Sequence, residues 1–170
     1  GKYRVAKGKL FLAQKKYKII VSLFHCFIVL FDKDKTKKVS VVNLDDKNAG
    51  YFLRFRADEK WGYGFNFQFS IFNFQSISNF QFLKSKTDNL TSFGTEFTVC
   101  YDDQEYKFKT QLLGEFNIYN CLAAIAVGRS QGIEMRVMQT ALAQVQPIDG
   151  RMEIIYDPKR DISVIVDYAH

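Results

Sequence analysis

The feature that most limits the fold of this chain is an apolar run at residues 19–31, IIVSLFHCFIVLF. A helix that spans a membrane needs about 20 apolar residues, whereas a run of 10–14 is more often buried in a protein core. The β-branched and aromatic side chains of this run favour a buried strand, or two strands. We therefore expect a domain with a sheet at its centre and no stable membrane insertion.

Charge and cysteine content narrow the class of protein. The formal net charge is +6, but the lysines are scattered and form no long basic block, so we do not expect nucleic acid as a partner. The three cysteines, Cys26, Cys100 and Cys121, are far apart and include no CxxC pair. This spacing indicates reduced thiols in a cytoplasmic protein, and neither disulfides nor a zinc site.

Periodicity along the chain alternates between helix and strand, which predicts an α/β fold. The predicted helices are residues 2–14, one that opens within 47–54, then 116–130 and 134–145. In the helix 116–130, Ile118, Leu122 and Ile125 form one apolar stripe, and Gly132 is placed to end the helix. The predicted strands are residues 39–43, which we expect to form a buried parallel strand, then 97–101, 106–111, 151–156 and 162–166. The last two strands flank a DPKRD turn at 157–161. Asp102 and Asp103 provide the turn of a hairpin between 97–101 and 106–111. Apolar and amide residues alternate in 65–82, which indicates either one or two strands or a low-complexity tract.

Two asparagines at the start of the helix 116–130 are candidates for ligand binding. Asn117 and Asn120 are three residues apart, so they face the same side of the helix. The first turn of a helix has free N–H groups and the positive end of the dipole, where a nucleotide could hydrogen-bond. The alternative is that Asn117 is only the N-cap of the helix.

Three other groups have the chemistry of a binding site. Arg151 follows a glycine and precedes a strand, so its guanidinium could bind phosphate, or pair with Glu153 or Asp149. Asp167 ends the strand 162–166, where ligands of open α/β sheets bind, although it could instead cap a helix. Asp45 and Asp46 follow the strand 39–43. Adjacent carboxylates suit Mg²⁺, but we prefer a polar transition from strand to loop.

Several short motifs resemble the Mur ligase family when they are taken in order. A glycine precedes FNxxN at 116–120, GRME lies at 150–153, and a strand ends in DYAH at 167–170. Nearer the N-terminus, YRVAKGKLF at 3–11 and VVNLDD at 41–46 resemble the family's YxxAK helix and NxDD loop. The residues of the GRME and DYAH motifs are similar to those of the ligases that add the third amino acid to the peptidoglycan precursor.

The resemblance implies a role for each candidate residue. Lys7 would react with carbon dioxide, and the resulting carbamate would be an oxygen ligand for Mg²⁺. Asn117, Asn120 and Asp167 would hold ATP, and Arg151 would contact its phosphates. His170 would have a supporting role. The substrates would be the UDP-MurNAc-dipeptide and a diamino acid, either diaminopimelate or lysine, and the enzyme would be a cytoplasmic monomer.

The resemblance also implies that the chain is an internal piece. Residues 1–149 would be the second half of a central, P-loop ATPase-like domain, and 150–170 would begin a Rossmann-like C-terminal domain. The chain contains no GxxxxGK[ST] phosphate loop, which we expect before Gly1, so the piece should be inactive alone. Two alternatives stay open: a folylpolyglutamate-synthetase-type ligase, and a non-catalytic remnant.

Overall fold

A computed structural model describes residues 19–22, 27–31, 38–66, 80–91, 94–147, 150 and 153–166. The predicted helix at 2–14 lies outside these residues, as do the candidate site residues Lys7, Arg151, Asp167 and His170. Most of the Phe/Asn/Gln tract, at 67–79, also lies outside them.

The described residues form nine strands and three helices. The strands are β1 (Ile19–Ser22), β2 (Phe27–Phe31), β3 (Lys38–Asn43), β4 (Glu59–Gly64), β5 (Phe80–Thr91), β6 (Gly94–Tyr101), β7 (Gln104–Thr110), β8 (Glu153–Asp157) and β9 (Ile162–Val166). The helices are α1 (Ala49–Leu53), α2 (Glu115–Ser130) and α3 (Met135–Gln144).

The first seven of these strands form one mixed sheet in the order β1-β2-β3-β4-β5-β6-β7. β3, β4 and β5 are parallel, with Val41 opposite Trp61 and Tyr63 opposite Leu83, and the remaining neighbours are antiparallel. The α/β fold and the buried parallel strand at 39–43 are thus confirmed. Because parallel strands point the same way, the carboxyl ends of β3 and β4 lie side by side at the same end of the sheet.

The core of the sheet is a continuous apolar cluster beneath α2 and α3. Phe97 and Phe108 face each other across β6 and β7, with ring centroids 5.5 Å apart. Ile118, Leu122 and Ile125 of α2 are fully buried, which confirms the apolar stripe predicted for that helix. Burial of this one stripe fixes which side of α2 faces the sheet and which side faces outward.

The apolar run at 19–31 contributes the two antiparallel strands β1 and β2, which confirms the prediction of strands. β2 then pairs with β3, so the run extends the sheet at one edge. Within the described part of the chain, no helix is long and apolar enough to cross a membrane.

Both predicted hairpins are confirmed. Asp102 and Asp103 have φ values of 52° and 57°, the left-handed pair that a two-residue type I′ turn between β6 and β7 requires. β8 and β9 pair around the DPKRD turn and form a separate two-stranded sheet. The proposed domain boundary at 149–150 stays a prediction.

Helix α2 begins one residue earlier than predicted, at Glu115, with Gly114 as its N-cap. The alternative that Asn117 is the N-cap is therefore wrong, because Asn117 lies within the first turn of the helix. Gly132, with φ of 79°, ends α2 as expected. Its N–H donates to the carbonyl of Arg129 and that of Ile133 donates to Gly128, the two bonds of a Schellman motif.

Candidate functional site

The turn into α2 depends on a glycine. Gly114 has φ 86° and ψ 150°, a region of backbone space that only glycine adopts without strain. A Cβ at this position would also lie 2.8 Å from Cε1 of Phe116. The glycine that precedes FNxxN therefore has a physical role: it turns the chain sharply into the helix that carries the two asparagines.

Asn117 and Asn120 form a hydrogen-bonded pair on one side of α2. Nδ2 of Asn120 donates to Oδ1 of Asn117 over 3.0 Å, and Nδ2 of Asn117 donates to the carbonyl of Leu113 over 2.8 Å. Asn117 thus ties the entering turn to the helix and orients its neighbour. Asn120 is exposed, and no hydrogen bond from the described residues reaches its Oδ1. Its amide oxygen is available to a ligand.

Asp45 lies in the loop after β3, at the end of the sheet where β3 and β4 both terminate. Its carboxylate accepts hydrogen bonds from the backbone N–H of Phe65 over 2.6 Å and of Asn66 over 3.1 Å. It also accepts the hydroxyl of Tyr119, on α2, over 2.9 Å. One carboxylate therefore joins three segments: the loop after β3, the loop after β4, and the start of α2.

The hydrogen bonds of Asp45 and Asp46 bear on the two interpretations of this carboxylate pair. Both oxygens of Asp45 are already acceptors, and Oδ1 of Asp46 accepts the backbone and side-chain N–H groups of Asn48. Across the described residues, no group of three or more His, Cys, Asp or Glu side chains could hold a metal ion. The hydrogen bonds support the preferred interpretation, a polar transition from strand to loop.

Tyr119 is the member of this site that sequence reasoning missed. Its ring packs edge-on against Phe65 with centroids 4.9 Å apart, and its hydroxyl donates to Asp45. Burial raises the pKa of the Tyr119 phenol above its ordinary value, and the hydrogen bond and negative charge of Asp45 raise it further. The phenol therefore stays protonated as a donor at neutral pH. Asp45 and Tyr119 are 74 residues apart in sequence, so no local pattern relates them.

The predicted site residues are only partly brought together by the described structure. Asn117 and Asn120 adjoin each other and lie next to the contact between Tyr119 and Asp45. Lys7, Arg151 and Asp167 lie outside the described residues, so their convergence on Asn120 stays a prediction.

Comparison with known proteins agrees with the motifs. Residues 15–128 match the Mur ligase middle domain. The chain is 28% identical over 155 residues to UDP-N-acetylmuramoyl-L-alanyl-D-glutamate–2,6-diaminopimelate ligase 1 of Clostridium acetobutylicum, a match that covers 91% of this chain and 29% of that protein. It is 34% identical over 134 residues to the diaminopimelate ligase of Aquifex aeolicus, covering 78% of this chain and 24% of that protein. The chain thus spans less than a third of the length of these relatives.

A solved structure supports the fold. The crystal structure of UDP-N-acetylmuramate-alanine ligase MurC from Thermotoga maritima superposes with a TM-score of 0.55 at 22% identity, covering 76% of this chain and 26% of that one. This likeness concerns the arrangement of strands and helices. Because the middle-domain match covers more than half of its residues, the chain belongs to the Mur ligase family.

Proposed function

We propose that the full-length polypeptide containing this chain is an ATP-dependent ligase that adds the third amino acid to UDP-MurNAc-L-Ala-D-Glu. The observation that carries the proposal is the similarity to diaminopimelate ligases across 91% of the chain. The amino acid would be diaminopimelate or lysine. We place the enzyme in the cytoplasm, as a monomer.

The start of α2 is the part of the described structure that suits a nucleotide. The free Oδ1 of Asn120 can accept a hydrogen bond from an amino group of the base or a hydroxyl of the ribose. The side-chain amide of Asn117 is used within the helix start: its Nδ2 donates to the carbonyl of Leu113, and its Oδ1 accepts from Nδ2 of Asn120. In this proposal Asn120 contacts ATP directly, whereas Asn117 mainly orients Asn120.

The remaining roles fall on residues outside the described ranges. Arg151 would bind the phosphates with its planar guanidinium, and Asp167 would hold the ribose. By the resemblance to the Mur ligases, Mg²⁺ would be held by Lys7 as its carbamate, because Mg²⁺ prefers hard oxygen ligands. A lysine carbamate forms only from the neutral amine, so this site would have to lower the pKa of Lys7.

The proposed reaction has two steps. The glutamate side-chain carboxylate attacks the γ-phosphorus of ATP, which gives an acyl phosphate and ADP. The amino group of the incoming amino acid then attacks the acyl carbon, so that an amide forms, phosphate leaves and the amine loses a proton. In such transfers the protein contributes mainly by holding the reactants in line and by stabilising phosphate charge.

Phosphate release by the full-length polypeptide tests the proposal. We expect release from ATP to require both UDP-MurNAc-L-Ala-D-Glu and one diamino acid, with a new amide product detected by mass spectrometry. Separate reactions with diaminopimelate, lysine and glutamylated folate distinguish the ligases. Turnover of the folate alone would favour a folylpolyglutamate-synthetase-type enzyme, and no precursor-dependent turnover would favour a non-catalytic remnant.

Asn120→Ala tests the nucleotide contact. Loss of one hydrogen bond of about 1.4 kcal/mol predicts a rise of about tenfold in the KM for ATP. Gln131→Ala is the matched control, because it removes another exposed amide just beyond the opposite end of the same helix. An equal KM for ATP in the two variants would contradict the assignment of Asn120.

A further inference from the structure

Asp45 makes four hydrogen bonds at the end of the sheet where β3 and β4 terminate. Its own N–H donates to Oδ1 of Asn43 over 3.0 Å, which fixes the turn after β3. Its carboxylate holds two consecutive N–H groups, those of Phe65 and Asn66, after β4. Hydrogen bonds to an ionised acceptor are about twice as strong as neutral ones. The two strand ends and their loops are therefore held as one unit.

Tyr119 connects this unit to α2 at the residue next to Asn120. The previous residue, Ile118, is fully buried in the core beneath the helix. Because successive residues of a helix are about 100° apart around its axis, Ile118 and Tyr119 attach the helix to the rest of the domain on two different sides. One attachment is apolar and non-directional, and the other is a hydrogen bond of 2.9 Å with a defined direction.

The rotation of α2 about its axis matters because Asn120 lies on the exposed side of the helix, where it would meet the nucleotide. Its polar atoms lie about 5 Å from the helix axis, so a rotation of about 10° moves them by roughly 1 Å. A hydrogen bond weakens steeply when its distance or angle leaves the favourable range, so a displacement of this size would weaken the contact of Asn120 with the nucleotide. Burial of apolar groups alone permits small rotations, whereas the hydrogen bond from Tyr119 to Asp45 resists them.

We infer that Asp45 and Tyr119 are positioning residues that fix the rotation of α2 and so place Asn120 against the nucleotide. The inference rests on the proposed function for its ligand. Neither residue is assigned a contact with the nucleotide. They act through the helix, which distinguishes them from Asn120 itself.

Tyr119→Phe in the full-length polypeptide removes the hydroxyl and keeps the ring that packs on Phe65. We expect the KM for ATP to rise about fivefold while kcat stays within twofold of the wild type. Tyr156→Phe is the matched control, because Tyr156 donates to Asp161 over the same 2.9 Å in the separate β8–β9 sheet. The control should change neither constant. If Tyr119→Phe leaves the KM for ATP unchanged, or if both variants change it equally, the inference is overturned.

Amide hydrogen exchange gives a second measurement that needs no nucleotide. We expect faster exchange in the peptide covering residues 115–121 of Tyr119→Phe and of Asp45→Asn, and wild-type exchange in Tyr156→Phe. Wild-type exchange in both variants would overturn the inference even if the enzyme binds ATP. A wild-type polypeptide with no affinity for ATP would refute the proposed function, and the exchange result would still decide whether Asp45 and Tyr119 hold the helix.

Discussion

Replacement of Gly114 by alanine should destabilise the chain more than replacement of the other helix-terminal glycine, Gly132. Both have positive φ, 86° and 79°. At Gly114, however, ψ of 150° lies in a glycine-only region, and the new Cβ would lie 2.8 Å from the ring of Phe116. At Gly132 a new Cβ meets nothing within 4 Å. The two substitutions are chemically identical, so their difference isolates the backbone conformation and the steric contact.

The expected magnitudes follow from these geometries. An L residue in the left-handed region costs about 1–2 kcal/mol, and alanine recovers about 0.4–1 kcal/mol by restricting the unfolded chain. Gly132→Ala should therefore lower the free energy of unfolding by about 1 kcal/mol. The conformation of Gly114 costs up to about 3 kcal/mol, and displacement of Phe116 adds to it, so Gly114→Ala should lose about 3 kcal/mol.

Urea unfolding followed by fluorescence measures the difference. The single tryptophan, Trp61, is 2% exposed and stacks on Tyr101, so its emission should change when the sheet unfolds. We expect Gly114→Ala to be less stable than Gly132→Ala by about 2 kcal/mol. Equal losses in the two variants would refute the argument that the sharp turn into α2 requires glycine.

Two further predictions concern a buried thiol and the hairpin turn. Burial raises the pKa of Cys121 from 9.0 to about 11. The thiol therefore favours the folded state fully below pH 9, and this contribution is lost as the pH rises from 9 through 11, by about 3 kcal/mol in all. Urea unfolding between pH 8 and 10.5 should show a steeper loss for wild type than for Cys121→Ala, and parallel curves would contradict this. Asp103→Gly should raise the free energy of unfolding by about 1 kcal/mol, because glycine adopts the φ of 57° without strain. Asp103→Ala keeps the Cβ and should give no gain, so equal stabilities of these two variants would count against the turn assignment.

Local interactions explain why several elements could be predicted from sequence. The Asp102–Asp103 turn and its flanking alternation depend on neighbouring residues, and the hairpin formed as expected. The stripe Ile118, Leu122 and Ile125 follows the helical repeat, so the buried side of α2, and with it the shared side of Asn117 and Asn120, was predictable. The motifs also sufficed to indicate the Mur ligase family.

Other features depended on contacts between distant parts of the chain. The alternation at 65–82 indicated strands but could not show that β5 begins at Phe80 and lies parallel to β4. Asn117 resembled an N-cap because serine, threonine, aspartate and asparagine favour that position, yet the conformation of Gly114 moved the helix start upstream.

The sequence by itself determined the α/β class, the helix that carries the asparagines, and the family. Only the tertiary structure decided that Asp45 accepts hydrogen bonds from Phe65, Asn66 and Tyr119. The physical reason is that a short polar side chain takes its partners from whatever the sheet brings within about 3 Å. Those partners lie 20 to 74 residues away along the chain.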